Sequence, residues 1–309
     1  MDLKNLNTFV HVAETGSFTR AGERLGYSQS AVSIQIKQLE TELGFRLFDR
    51  IGHTVRLTSR GEETLLYAQR ICRMCQEMTL SGSRPHELTG ELRLATGDSL
   101  CAHLFGSSFS HFREQYPGIS LQVTAAGTDT LFDLLDHNGA DIVCTLDSHI
   151  FHNDYIIAAE ERVSVHFVAP AGHPLAKSGP LSVETLLSQP FLLTEKGMSY
   201  RRLMDETLAR RSLEILPVLE MGRADILCRL VESGMGFSFL PDYVTEDSVR
   251  RGTVVLLDVP DCQVEVWAQL LYHRGKWLSP QMEAAIAHLT AALRSIPSFS
   301  EAGPPTGAS

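Results

Sequence analysis

Three features of this 309-residue sequence predict an α+β chain of several domains. The first 58 residues hold short helices with one apolar face, parted by Gly-containing turns. Residues 59 to about 80 hold one unbroken helical repeat. From Gly90 onward, apolar strands alternate with helices, the pattern of sheets covered by helices.

Leu3, Leu6, Phe9, Val10 and Ala13 share one face of a first helix. Ser17 stands where a helix N-cap belongs, since its hydroxyl can accept from an otherwise orphaned N–H. Phe18, Ala21 and Leu25 follow at helical spacing, and Gly26-Tyr27 makes a short turn. Ser28 caps the next helix, whose inner face is Val32, Ile36, Leu39 and Leu43. The opposite face of its leading end carries Gln29, Ser30, Ser33, Ile34 and Lys37. Short hydrogen-bonding side chains at the leading end of an exposed helix suit base edges in a DNA major groove. Two short extended runs around Gly52 read as a two-stranded wing. Arg50, His53 and Arg56 on or beside it can reach phosphates, which position a protein without reading sequence. Residues 1–58 therefore read as a winged helix-turn-helix, with a double-stranded DNA operator as the expected partner and Ser17 and Ser28 counted with the residues above as expected DNA contacts.

At these residues the chain resembles the LysR-type transcriptional regulators. The matching string is Phe9, Ala13, Gly16-Ser17-Phe18, Ala21, Leu25, Ser28 to Ser33, Ile36, Leu39-Glu40, Leu43-Gly44, Leu47-Phe48, Arg50, Leu57-Thr58 and Gly61, in order and without gaps. Two positions depart from the family pattern. Ile34 replaces a residue that is often basic or polar; it can touch a thymine methyl but cannot hydrogen-bond. His53 stands in the wing where Arg is frequent, which trades a permanent charge for a pH-dependent one. The resemblance implies a dimer or tetramer, a small-molecule effector and contact with RNA polymerase.

The formal net charge of −10 is unevenly spread. Residues 1–88 carry 11 Lys and Arg against 10 Asp and Glu; residues 89–309 carry 16 against 27. Lys37, Arg46, Arg50, Arg56 and Arg60 gather around the DNA face. Modest charge implies modest non-specific affinity, so an oligomer is needed to add phosphate contacts. No apolar run approaches the roughly 18 residues of a membrane span. Asp2, Lys4, His11 and Glu14 interrupt the first 20 residues, unlike a signal peptide. Six scattered cysteines fit a reducing cytoplasm.

Residues 59–89 read as a linker. Ser59 and Glu62 have capping-box spacing. Leu65, Ala68, Cys72 and Cys75 recur at three, four, three and predict a coiled-coil seam between two chains. Cys72 and Cys75 form C-x-x-C, but no second such pair lies near, so they read as small apolar seam residues. Ser81-Gly82-Ser83-Arg84-Pro85 is the expected hinge.

Residues 90–296 read as two α/β lobes, and residues 297–309 as a disordered tail. Strands are expected at 92–95, 119–123, 140–144, 163–168, 190–194, 218–220, 237–241 and 264–271, in a mostly parallel arrangement. Helices are expected around Leu104 to Phe112, Thr128 to Leu135, Tyr200 to Ala209, Asp225 to Ser233 and Pro280 to Ile296. The chain leaves lobe I (about 90–161 and 266–296) near Glu160, builds lobe II (about 162–265) and returns. Gly172-His173-Pro174-Leu175-Ala176 and Gly234-Met235-Gly236-Phe237 to Pro241 resemble the family's effector domain, itself similar to periplasmic solute-binding proteins.

Ligands of open α/β sheets bind beyond the carboxyl ends of the strands, at helix N-termini. Here those turns offer Asp98, Ser99 and Cys101, then Thr128, then Thr194 and Ser199, with Arg201 and Arg202 just behind. Ser99 and Thr128 can also cap their helices. The donors favour an organic anion, although Asp98, Asp129 and Glu195 can instead hold a cationic group. No catalytic motif, phosphate loop or metal-spaced cluster occurs, so no enzyme, cofactor or metal is expected. A redox-sensing regulator on the same scaffold stays open through Cys101, Cys144, Cys228 and Cys262.

Overall fold

The computed structural model describes residues 2–51, 54–80, 88–106 and 108–297. His53, the expected hinge at 81–85 and the tail beyond residue 297 lie outside them, as does the side chain of Arg50.

The N-terminal unit is built from α1 (Leu3–Thr15), α2 (Phe18–Leu25), α3 (Gln29–Leu43) and the antiparallel pair β1 (Phe48–Ile51) and β2 (Thr54–Leu57). Asp2, Ser17 and Ser28 accept from backbone N–H groups at the three helix starts. Gly16, Gly26 and Gly44 end the helices at φ of 58°, 69° and 77°, where a Cβ would be strained. Gly22 is required by space: a Cβ there would lie 2.7 Å from the Tyr27 carbonyl oxygen, so α2 and the turn meet backbone to backbone. Phe48 reaches back edge-on to Phe9 at 5.4 Å and Phe18 at 5.8 Å. Each such ring pair adds about 0.5–1.5 kcal/mol beyond the area it buries.

The next helix, α4 (Ser59–Leu80), corrects two expectations. Its cap is Thr58, whose hydroxyl accepts from the Gly61 N–H at 2.9 Å. Leu65, Ala68 and Cys72 do not face a second chain. They are buried in the same core as Phe9 and Leu39, because α4 lies along α1. A three-four-three repeat marks a face that needs covering and leaves open which helix covers it. Among the described side chains of α4, Leu66 and Tyr67 are the large apolar ones left in solvent, 52% and 66% exposed.

Lobe I begins with β3 (Thr89–Thr96), α5 (Asp98–Gly106), α6 (Phe109–Gln115), β4 (Gly118–Ala125), α7 (Thr128–Asp136), β5 (Ile142–Asp147) and β6 (Tyr155–Val163). The chain crosses at Ser164 into lobe II. That lobe holds β7 (Val165–Pro170), α8 (Val183–Leu186), β8 (Phe191–Leu193), α9 (Ser199–Ala209), β9 (Pro217–Glu220), α10 (Ala224–Glu232), β10 (Ser238–Pro241), α11 (Asp242–Arg250) and β11 (Val254–Leu257). It returns as β12 (Val266–His273) and α12 (Pro280–Arg294). The lobe I sheet runs β4-β3-β5-β12-β6. Its first three strands are parallel, and β12 is antiparallel to both neighbours. In lobe II, β10-β7-β11 is antiparallel and β8-β9 parallel. The arrangement is therefore not mostly parallel: the lobe I sheet is mixed, because β12 enters it reversed after the second crossing, and the three-stranded sheet of lobe II is wholly antiparallel. The edge strand β6, together with α11 and β11, was not expected from the sequence. Among the described residues no helix is long and apolar enough to cross a membrane.

The N-terminal unit docks on lobe I through the loop between β12 and α12. Gln69 Nε2 donates to the Gly275 carbonyl at 2.5 Å, and Trp277 packs against the helix-turn-helix core. Lys276, with a side chain 6% exposed, sits 2.6 Å from Asp141 and donates to Asn138 Oδ1. Asn138 in turn donates to the Glu14 carbonyl, and Arg93 pairs with Asp141 at 2.7 Å. Burial alone would raise the Asp141 carboxyl, but Arg93 and Lys276 hold it well below the usual range. Burial likewise opposes ionisation of Glu14, and His11, Lys276 and Arg24 together reverse that.

A carboxylate depressed in the fold stabilises it above its unfolded pKa and loses that contribution as pH falls towards its folded value. The thermal midpoint of the full chain should therefore decline as pH falls below 4.5 and then 3.8, the ordinary values of Glu14 and Asp141. Lys276→Met should melt lower than wild type at pH 7, and the gap should narrow as both carboxylates protonate. A gap that stays constant from pH 7 to 3 would exclude this pairing as a stabilising contact.

Candidate functional site

Two regions carry the sequence-predicted residues. The first is the leading end of α3. Its inner face, Val32, Ile36 and Leu39, is wholly buried, which forces the opposite face outward. Ser28 accepts from the Ala31 N–H at 3.2 Å and meets Ser30 Oγ at 2.9 Å. Gln29 Nε2 donates to Ser33 Oγ at 3.2 Å. That bond spans one turn and holds the amide over the exposed face, aimed as a base-reading side chain must be. Ile34 is 57% exposed, and Lys37 and Arg56 are exposed beside it. Ser17 is half-buried and committed to capping α2 through the Arg20 N–H at 3.3 Å.

The second region is the seam between the lobes. Asp98, Ser99, Thr128, Thr194 and Ser199 line one cavity of about 40 Å³, together with Gly127, Thr145, Leu146, Met198 and Gly222. That is room for about one water molecule. Four contacts close it. Ser99 Oγ meets Tyr243 Oη at 2.9 Å. Ser199 Oγ donates to the Leu146 carbonyl at 2.5 Å. Arg202 pairs with Asp147, and Arg223 approaches Asp98 at 3.5 Å. Each joins lobe I to lobe II. The turn before α9 is tight: Gly197 has φ of 87° and Ser199 of 36°, a left-handed backbone that is uncommon outside glycine. It presses Met198 so close to lobe I that a Cβ on Gly127 would lie 3.1 Å from its sulfur.

Several placements differ from expectation. Ser99 lies inside the first turn of α5 and turns to Tyr243 instead of capping. Thr128 is the first residue of α7, after Gly127, and makes no side-chain cap. Arg201 is buried and turned from the cavity: its Nε donates to Asp205 at 2.9 Å and its Nη1 to the Thr194 carbonyl at 3.2 Å. Arg202 and Arg223 are the cations that cross the seam. Cys101 lines an adjoining groove that shares Asp98 and Ser99 with the cavity and adds His103, Arg223 and Tyr243.

Thr145 was not singled out from the sequence. It is wholly buried, and its hydroxyl finds no hydrogen-bond partner among the described residues. The readable signal was its place in the apolar run that forms β5, where a lone polar residue needs a reason. Burial raises the thiols of Cys72, Cys101 and Cys228, pushes Cys262 up to about 11, and lifts Cys144 beyond that. A reactive thiol needs the opposite shift.

Residues 3–62 match the family described as bacterial regulatory helix-turn-helix protein, lysR family, and residues 85–294 match the LysR substrate binding domain. The chain belongs to the LysR family of transcriptional regulators. An uncharacterized HTH-type transcriptional regulator of Bacillus subtilis, YwqM, is 30% identical over 289 residues, covering 93% of this chain and 97% of that one. The RuBisCO operon transcriptional regulator of Allochromatium vinosum is 30% identical and covers 91% and 92%. Among solved structures, a full-length OxyR variant from Pseudomonas aeruginosa superposes with a TM-score of 0.61 at 22% identity, covering 96% and 95%; it is a likeness of fold. As in other LysR-type regulators, the helix-turn-helix is the DNA-binding unit and the two lobes are the effector-binding domain.

Gln29→Ala should cost about 1–3 kcal/mol on the regulator's own operator and little on random DNA. Lys37→Ala should weaken both alike and lower the salt slope by about one. Equal losses for Gln29→Ala on both DNAs, in titrations at matched salt, would remove it from the reading set.

Proposed function

We propose that this LysR-type regulator reads its operator through Gln29, Ser30, Ser33 and Ile34, and that its effector enters the seam by opening it. The observation that carries the effector reading is the buried, unpartnered Thr145 hydroxyl at a small, partly open cavity by the starts of α5, α7 and α9. A buried hydroxyl without a partner costs roughly 1–3 kcal/mol. A ligand group that pairs with it recovers that cost. The cavity as it stands is too small for a metabolite, so the lobes part when one binds. A ligand shifts that equilibrium only by binding the open and closed forms unequally.

The ligand class follows from the seam ion pairs. Arg202 is held by Asp147 across the lobes, and an organic anion can take Asp147's place. A cation would be drawn instead to Asp98 and Asp147. The redox alternative has less support, because every thiol with a resolved shift is raised by burial. The chain acts in the cytoplasm on double-stranded DNA, alongside RNA polymerase.

Thr145→Val keeps the volume and deletes the hydroxyl. Its two effects should have opposite signs. The ligand-free protein should melt at the same temperature or higher, while effector affinity should fall by about 0.5–1.5 kcal/mol. Thermal shifts of the full chain against carboxylates, amines and neutral metabolites identify the class. A panel in which only amines bind would overturn the anion assignment; a bound effector with unchanged affinity for Thr145→Val would overturn the site.

We further propose that two copies pair across the exposed Leu66 and Tyr67 of α4. Leu66→Glu with Tyr67→Glu should convert the oligomer to monomer in sedimentation at micromolar concentration. An unchanged sedimentation coefficient would place the interface elsewhere.

A further inference from the structure

One strand touches both the seam and the DNA-binding unit. β5 is buried along its whole length and paired on both sides, with β3 and β12. At its trailing end, the Leu146 carbonyl accepts from Ser199, and Asp147 holds Arg202. Just before its leading end, Asp141 binds Lys276 and Arg93. At about 3.3 Å per residue, the two ends lie about 20 Å apart. Its neighbour β12 runs directly into the loop that carries Gly275, Lys276 and Trp277, and all three residues meet the helix-turn-helix unit or its linker helix.

The contacts at that loop cannot slide. Lys276 is an ammonium ion nearly removed from solvent, and its countercharges come from two domains: Asp141 in lobe I and Glu14 on α1. Asn138, at φ 53°, donates to the Glu14 carbonyl and accepts from Lys276. Partial withdrawal would take one countercharge from Lys276 and from Glu14 while both side chains are still nearly buried, and would break the Asn138 bond to the Glu14 carbonyl, which is unfavourable until water reaches them. The arrangement therefore has two states, docked and released, as a switching element requires.

We propose that Glu14, Asn138, Asp141, Lys276 and Trp277 form an intramolecular clamp holding the DNA-binding unit on lobe I, and that β5 passes changes at the seam to it. The clamp rests on the family's DNA-binding function and on no particular effector. Its test reads the protein without ligand, so it stands or fails separately from the effector assignment.

The test is amide hydrogen exchange on the full chain with three single variants. Glu14→Gln keeps the side chain's size and leaves Lys276 paired with Asp141. Trp277→Ala removes the apolar anchor and strands no charge. Asp147→Asn lies at the far end of β5 and touches no clamp residue. Glu14→Gln and Trp277→Ala should speed exchange in residues 11–15 and 274–278 about tenfold, with β3 unchanged and the scattering radius of the whole chain larger. Asp147→Asn should speed exchange in 274–278 by about threefold as well as at the seam. Wild-type exchange in Glu14→Gln would overturn the clamp even if Trp277→Ala fails to fold. An Asp147→Asn effect confined to the seam would overturn transmission through β5.

Discussion

The lobes are joined by two backbone crossings, at Ser164 and between Leu257 and Val266, and nothing covalent fixes the angle between them. Their relation is set by side chains: one buried apolar cluster runs from Leu100 and Leu146 in lobe I to Tyr200 and Met204 in lobe II, and polar contacts cross at the seam beside it. Ser99 with Tyr243, Ser199 with the Leu146 carbonyl, Arg202 with Asp147 and Arg223 with Asp98 are each modest contacts. Partly exposed ion pairs of this kind are worth at most about 1 kcal/mol each. Their sum is within reach of a small ligand's differential affinity. A seam with no contacts would have no closed state to leave.

The polar character of the seam also explains why the strained backbone at Ser199 persists. Its left-handed φ aims the hydroxyl at the Leu146 carbonyl on the other lobe. Arg201 anchors the same turn from beneath, through Asp205 and the Thr194 carbonyl. Of two adjacent arginines, one is therefore buried to hold the turn, and the next is left at the seam to meet Asp147. Sequence position could name the pair but could not divide these roles, because the division depends on where α9 meets β5.

Legibility followed the range of the contacts. The helix-turn-helix was readable because Ser17, Ser28 and the glycines act on residues one to four positions away, and its core repeats at helical spacing. The cavity turns were readable as strand ends. The cap assignments at Ser99 and Thr128 failed by one residue, since Asp98 already begins α5 and Gly127 takes the N-cap position of α7. The α4 seam was read as intermolecular because periodicity carries no partner identity. The docking loop was invisible: Glu14 and Trp277 are 263 positions apart, and neither is unusual where it stands. β6 escaped notice because its one-sided burial at a sheet edge weakens the apolar pattern of Tyr155 to Val163.

The reading head shows how specificity arises with little charge. An exposed isoleucine at position 34 gives up hydrophobic burial in the free protein, and thymine methyl groups are the apolar surface a major groove offers. Gln29, Ser30 and Ser33 add short-range hydrogen bonding on the same face. Phosphate contacts, which scale with the number of cations, are few in a unit whose charges nearly cancel. On the proposed reading, base-edge contacts then make up a large share of operator affinity, and their geometry is unforgiving. A displacement of about 1 Å breaks a hydrogen bond but barely alters a screened phosphate attraction. A small movement of the docked unit relative to lobe I thus changes operator reading more than it changes general DNA affinity. Under the proposed clamp, that sensitivity would let a modest rearrangement at the seam alter which DNA is held.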